Sequence, residues 1–424
     1  MQIKRDYSQP FFSTRRRRRS SGSRFLFMYG LFLGAILVVI YTQFDRLQLA
    51  ALDAVGMAPT PTPFASTLAT EGAEAYLAGD VAAAATLFEQ AHRQQPNNLS
   101  YAYEYGKMLI ELNRAEEVLQ PAYYLGDKSL ADWIIDLNPA DPRGYALKTK
   151  ALVWVGSPAE AIPVGVSGLE RDRNFAPLHA ALGRAYTSIG RYQQGLVHGE
   201  TAIELDPLDI DARRSYAYSL IWVGARSEAI NQLEHAISIN PNLTAPYFEI
   251  AVQYLATGQE EMAVAAYEHI LSLTPRDEKA HLRLCETYSR VGQNDRAQGY
   301  CEDALAINPE YAPAWRQVGQ ARYTRRNYEG AIEAFNNCVK FGSTEIECWY
   351  LRGLAHYYLG QCDQAWNVLT ESLPMAESLP DKEPIIANIR EGLRLTTVSC
   401  ANYSGRALPT DIPPTPIPPT PIGG

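Results

Sequence analysis

The chain has 424 residues, 46% of them hydrophobic and 20% charged, enough apolar material to bury a core over most of its length and too much for wholesale disorder. Its formal charge of -9 is unevenly spread: eight basic residues and one acidic residue precede position 25, leaving a body of about -16. A body of that sign repels nucleic-acid phosphate, which excludes DNA and RNA as main ligands.

Residues 1–24 form a basic tail carrying Lys4, Arg5, Arg24 and five consecutive arginines from Arg15 to Arg19. The next twenty residues, 25–44 (FLFMYGLFLGAILVVIYTQF), hold no charge. As a helix they rise about 30 Å, the thickness of a bilayer's hydrocarbon core. Tyr29, Tyr41 and Phe44 suit the two interfaces, where aromatic rings sit at headgroup depth. A cleaved signal peptide has a shorter apolar stretch of roughly 7–15 residues and a small-residue cleavage site. The segment Asp45-Arg46-Leu47-Gln48 offers no such site, so a retained transmembrane helix is predicted. Basic residues resist translocation, so the tail is expected in the cytoplasm and the body outside it: a single-pass membrane protein with an extracytoplasmic domain. Residues 45–64 form a juxtamembrane linker ending in the stiff Pro/Thr run from Met57 to Phe64.

From 65 to 379 the chain is periodic. Gly156, Gly190, Gly224, Gly258 and Gly292 are 34 residues apart, and Gly360 resumes the series after Arg326. Ala161, Gly195, Ala229, Ala263, Ala297, Ala331 and Ala365 keep the same phase, as do Pro207, Pro241, Pro275 and Pro309. Each unit reads as a helix stopped by a left-handed cap, then a second helix whose small residue permits close approach. An aromatic such as Tyr267 or Phe335 packs one turn on, and a proline drives the preceding residue out of helical space. One such pair cannot bury its apolar face alone, so neighbours must stack.

The spacing resembles the tetratricopeptide repeat, W-x2-L-G-x2-Y, then A-x3-F, then P. Leu182-Gly183-x2-Tyr186, Trp315-x2-Val318-Gly319 and Trp349-x2-Arg352-Gly353 carry the first half; Ala84-x3-Phe88 with Pro96 and Ala263-x3-Tyr267 with Pro275 carry the second. The resemblance implies an all-α, right-handed superhelical solenoid of about nine helix-turn-helix units behind the membrane helix. Eight regular units are expected at 65–98, 142–175, 176–209, 210–243, 244–277, 278–311, 312–345 and 346–379. The stretch 99–141 runs nine residues longer than the 34-residue repeat, which predicts an enlarged second helix or an extra turn near Gly126-Asp127. Pro163, Gly165 and Gly168 predict a kinked or loosely packed unit at 142–175. Residues 380–400 read as a capping helix, and 401–424 as a disordered Pro/Thr tail.

Six cysteines fall late, Cys285, Cys301, Cys338, Cys348, Cys362 and Cys400. An even number in an exported segment points to disulfides, although fifteen pairings exist and six buried thiols behaving as small hydrophobes are the alternative. Carrying the repeat geometry onto them sets Cys285 against Cys301, Cys338 against Cys348, and leaves Cys362 with Cys400.

The same resemblance implies that first helices line a concave groove, with places two, five, nine and twelve of each unit facing it. Those places hold Arg143, Lys150, Arg184, Asp211, Arg214, Tyr218, Phe248, Val252, Leu255, Lys279, Leu282, Glu286, Arg316, Gln320, Tyr323, Tyr350, Leu354 and Tyr357. Basic residues outnumber acidic ones there, and Arg and Tyr dominate interface energetics. The Lys-and-Asn carboxylate clamp of chaperone-binding relatives is not reproduced.

The seven histidines form no H-E-x-x-H, and there is no G-x-S-x-G, P-loop, dinucleotide fingerprint or C-x2-C. No cofactor, metal, small-molecule substrate or enzyme activity is therefore expected. The leading expectation is an anchored scaffold binding a protein or peptide segment in the groove. The alternatives are a structural subunit of an envelope complex using its convex face or ends, and an activity housed in 99–141.

Overall fold

The computed structural model describes residues 63–122 and 125–408; the basic tail, the apolar run 25–44, the linker up to 62 and the tail from 409 lie outside them. Among the described residues no helix is long and apolar enough to cross a membrane. The helical body is the unit that begins at Ala65.

Among the described residues twenty α-helices follow one another, mostly in pairs joined by short turns. The first pair is α1 (Ala65–Leu77) and α2 (Val81–Gln94). Next come α3 (Leu99–Glu111), the short α4 (Ala115–Leu119), strands β1 (Pro121–Ala122) and β2 (Lys128–Ser129), and α5 (Leu130–Leu137). Regular pairs resume with α6 (Pro142–Trp154) and α7 (Pro158–Leu169), then α8 (Ala176–Ser188) and α9 (Tyr192–Leu205). They continue through α10 (Ile210–Trp222) and α11 (Arg226–Ile239), and α12 (Thr244–Ala256) and α13 (Glu260–Leu273). After these stand α14 (Glu278–Arg290) and α15 (Asn294–Ile307), and α16 (Ala312–Thr324) and α17 (Tyr328–Lys340). The last pair is α18 (Ile346–Tyr358) and α19 (Cys362–Glu377), followed by α20 (Glu383–Ser399) and a 3-10 turn at Ala401–Tyr403.

The turns explain the periodic glycines. Gly190 has φ +80°, and beyond it Arg191 N–H donates to Tyr186 O at 2.8 Å, a cap that satisfies carbonyls at the helix end. At the one regular turn without glycine, Arg326 adopts φ +63° and Asn327 N–H still reaches Arg322 O at 2.9 Å. The second helices press tightly on the first: a Cβ placed on Gly319 would stand 2.5 Å from the Phe335 ring, which is fully buried. Stacking then merges pairs into shared cores, one of which runs from Ala217 and Leu233 through Ile250, Tyr267 and Leu284 to Cys301.

Two local expectations need revision. In 99–141 the second helix is cut short rather than enlarged, and of the two alternatives expected there the extra turn near Gly126-Asp127 is the one found, in an antiparallel hairpin that sets Pro121 opposite Ser129 and Ala122 opposite Lys128. Its turn holds Gly126 and Asp127 at φ +66° and +59°. In 142–175 the helix α7 continues through Pro163, and its glycines serve contact rather than looseness. A Cβ on Gly165 would lie 2.6 Å from Leu182 Cδ2, and one on Gly168 2.7 Å from Tyr145 Cβ. The neighbouring side chains occupy the room a larger residue would need.

The six cysteines form three disulfides, in the pairing that the repeat resemblance implies: Cys285–Cys301 within one helix pair, Cys338–Cys348 between α17 and α18, and Cys362–Cys400 between α19 and the end of α20. The terminal segment is also held by Tyr403, whose hydroxyl donates to Asp363 Oδ1 at 2.7 Å and whose ring lies 5.2 Å from that of Trp366.

Candidate functional site

First helices converge on a cluster of charges. Arg214, on α10, is buried and is the hub: its Nη1 donates to Glu111 at 3.0 Å and to Asp211 at 3.3 Å, while Nε and Nη2 fork onto the two oxygens of Glu249, each at 3.0 Å. Lys150, from α6, donates to Glu111 at 2.9 Å and to Asp211 at 2.5 Å. Arg184, from α8, stands 3.5 Å from Glu249. Three cations thus answer three carboxylates.

Burial works against every one of these charges, and in most cases mutual attraction prevails. It holds Arg214 well above the usual arginine value, and Glu111 and Asp211 below the usual carboxylate range. Arg184 is the exception, because burial, reinforced by Arg214, outweighs the pull of Glu249 and lowers its pKa. Its guanidinium is sandwiched instead, 4.4 Å from the Trp154 ring centre and 4.7 Å from that of Tyr218, a cation–π arrangement. Its Nε is buried with no hydrogen-bond partner.

The cluster separates two spaces. On one side a cavity of about 430 Å³ lies among Tyr76, Tyr103, Lys107, Arg143, Asp209 and Arg184. It is bounded by contacts that close the first five units upon themselves: Asn240 Nδ2 donates to Tyr76 O at 3.3 Å, and Asn242 Nδ2 to Leu77 O at 2.9 Å. The α1–α2 turn sits so close that a Cβ on Gly79 would collide with Asn242 O. Within this space Asp209 caps α10 by accepting from Asp211 and Ala212 N–H; burial and the Asp211 charge push it up to about 6.

On the other side a cavity of about 320 Å³ has an apolar floor of Ile221, Phe248 and Val252, with Tyr218 and Tyr267 in its wall and Lys279 and Arg283 at its rim. Val252, Tyr267 and Arg283 are shared with a further cavity of about 300 Å³ that extends to Leu255, Glu286 and Arg290. Val252 is 50% exposed and Tyr267 0%, yet the Tyr267 hydroxyl has no hydrogen-bond partner. Lys279 Nζ lies 4.6 Å from the Phe248 ring centre. Together the two cavities form one trough along α10, α12 and α14.

The residues expected in the groove therefore divide. Lys150 and Arg214 are consumed by internal ion pairs, and Arg143 by Asp141 at 2.7 Å. Arg184, Tyr218, Phe248 and Lys279 come together around the trough. Arg316 pairs with Glu286 at 3.3 Å beyond its far end. Tyr323 packs against Tyr328 and Tyr358, Tyr350 joins the terminal core, and Tyr357 hydrogen-bonds Ser399 at 3.1 Å. Leu282 faces away, buried against Ala304 and Ala314. The sequence reading missed Glu111, Glu249, Tyr267 and Arg283. Glu111 lies in the unit that breaks register, and Glu249 and Arg283 occupy place six of their units, which is not among the expected groove places. Tyr267 was read only as a packing aromatic. Among the described residues no group of three or more His, Cys, Asp or Glu is arranged to hold a metal ion.

Residues 245–277, which contribute Phe248, Val252 and Tyr267, match the family model for the tetratricopeptide repeat. Among solved structures, the chain is similar to the Cut9–Hcn1 hetero-tetramer of APC/C at 15% identity, with 77% of this chain and 76% of that one covered and a TM-score of 0.48. A tetratricopeptide repeat protein from Parabacteroides merdae is similar at 15% identity over 60% of this chain and 98% of its own, TM-score 0.46. YrrB, described as a tetratricopeptide repeat protein with an unusual peptide-binding site, aligns at 20% identity over 43% of this chain and 95% of its own, TM-score 0.33. No curated protein sequence matches.

Proposed function

We propose that this helical solenoid of tetratricopeptide type is a membrane-anchored, extracytoplasmic scaffold that binds a segment of a partner protein in the trough along α10, α12 and α14. The observation that carries the reading is the continuity of the two cavities through Val252, Tyr267 and Arg283. An apolar floor with a few polar groups at its edge is the usual make-up of a recognition site, and half-exposed Val252 is surface a partner would cover. Anchoring and orientation rest on the uncharged run 25–44 and the arginines before it.

Cross-linking in membranes followed by mass spectrometry identifies the partner; Val252→Glu, which sets a charge on the apolar floor, is expected to abolish its capture while leaving the fold intact. A partner retained at full stoichiometry by Val252→Glu moves binding to the ends or the opposite face, the behaviour of a structural subunit. For topology, external protease is expected to digest the body on intact cells and to spare it in vesicles of opposite orientation; the reverse pattern ends the extracytoplasmic reading.

A further inference from the structure

We infer that the trough takes an internal peptide segment in which one aliphatic or aromatic side chain is flanked by carboxylates. This rests on the trough being the binding surface proposed for the scaffold. Three independent observations point to that chemistry.

The first is charge. Lining the two cavities are five cations (Arg184, Arg214, Lys279, Arg283 and Arg290) and two carboxylates, Glu249 and Glu286. Glu249 is engaged by Arg214 and Arg184 and Glu286 by Arg283 and Arg316, while Lys279 and Arg290 have no carboxylate partner among the described residues. With Arg184 and Arg214 balanced inside the cluster by Glu111, Asp211 and Glu249, the surplus is carried by Lys279 and Arg290, a field that attracts an acidic segment and repels a basic one.

The second is unspent hydrogen bonding. The Tyr267 hydroxyl and Arg184 Nε are both buried and both without a partner, which native structures rarely tolerate without a reason. Arg184 can only donate, and the tyrosine hydroxyl donates as readily as it accepts. Both atoms belong to residues that line the same cavity, and donors are satisfied by oxygens, a carboxylate or a peptide carbonyl. Arg184 is also held rigid between Trp154 and Tyr218, so little freedom is lost when it engages.

The third is shape. A cavity of about 320 Å³ floored by Ile221, Phe248 and Val252 has room for one or two large apolar side chains, and its continuation past Tyr267 gives the backbone of a segment a way on along α12 and α14. A lone carboxylate would leave the apolar floor wet; a purely apolar segment would leave the donors and cations unanswered.

The test uses the full-length chain and a fluorescein-labelled peptide, blocked at both ends, with the core Glu-Glu-Leu-Glu-Glu. Anisotropy is expected to show saturable binding that weakens as salt rises, at least tenfold loss when the glutamates become glutamines, and a similar loss when leucine becomes alanine. Tyr267→Phe is the decisive variant: removing an unpartnered hydroxyl is expected to leave thermal stability unchanged or higher while weakening the peptide about tenfold, a split that a packing role would not produce. Lys279→Glu is expected to weaken it further without unfolding the chain. Absence of binding to the unaltered protein, equal binding of the glutamine peptide, or full affinity in Tyr267→Phe overturns the inference. If Val252→Glu still abolishes capture of the cellular partner in those cases, the trough stands and only the ligand class falls; if Val252→Glu is also without effect, both fall.

Discussion

Arg214 and Glu111 stand 103 residues apart in the chain and meet at 3.0 Å. That bond ties α10 to α3 across the interior, and with Lys150 and Asp211 it closes off part of what would be an open groove in the first five units. A buried ion cluster is poor evidence of net stability compared with an apolar filling, but removing one member strands the others.

Arg214→Met should therefore be costly. Glu111, Asp211 and Glu249 would be left with only Lys150 and Arg184, and a loss of about 3–5 kcal/mol is expected for an uncompensated buried charge. Urea unfolding of the purified chain measures it; a loss under about 1 kcal/mol would mean that water reaches the cluster freely.

Acid and base act oppositely on two neighbours. Glu111 and Asp211 are held below their ordinary values, so their contribution is present above those values and is lost as pH falls through the folded-state ones. Asp209, pushed up to about 6 from 3.8, favours the protonated form in the fold; that benefit is complete below 3.8 and is lost as pH rises through 6. Asp209→Asn keeps the helix cap and removes the charge facing Asp211. The variant should be more stable than the natural chain at pH 7.5, by up to about 3 kcal/mol, and indistinguishable from it near pH 4. Paired urea titrations at the two pH values give the sign directly.

Arg326 occupies a place that glycine fills in the neighbouring units, and its φ of +63° costs a residue with a Cβ about 1–2 kcal/mol. Arg326→Gly is expected to raise the stability by roughly 0.5–1 kcal/mol after glycine's larger entropy loss is counted, read from the urea midpoint. An unchanged or lower midpoint would show that Arg326 makes a compensating contact.

The Cys362–Cys400 bond closes a loop spanning 38 residues. Chain entropy alone assigns such a loop roughly 4 kcal/mol, and without the bond α20 keeps its packing of Ile389 and Leu393 on the last pair and its contacts through Arg390–Glu377, Tyr357–Ser399 and Tyr403–Asp363. Cys362→Ser with Cys400→Ser is expected to release α20 to limited proteolysis while leaving the earlier units protected. Cleavage that spread at once through α10–α14 would instead make the cap essential to the whole stack.

What the sequence disclosed and what it hid have separate physical origins. The 34-residue repeat is legible because each turn needs a left-handed residue and each pair needs a small residue beside an aromatic, and those demands recur in fixed order. The tetratricopeptide solenoid follows from them. The charge cluster is not legible, since Arg214 finds Glu111 in the unit that breaks register and Glu249 in the next, and neither meeting is visible in local spacing. Curvature accumulates from small rotations between units, so nothing near Asn242 announces that it will reach Leu77. The unpartnered state of Tyr267 is likewise a property of its surroundings: the same aromatic in the same phase is Phe335 two units on.

The closure of α1 onto the turn before α12 carries a consequence for how the chain is made. Tandem arrays ordinarily complete each unit as it is synthesised, because every contact is with a neighbour. Here Asn240 and Asn242 follow the carbonyls they cover by 164 and 165 residues. At about 5–20 residues per second, the carboxyl end of α1 waits on the order of 10–30 s for its partners to exist. The unit at 65–98 is thus finished only once the fifth unit exists, and until then the Leu77 carbonyl is open to any other donor.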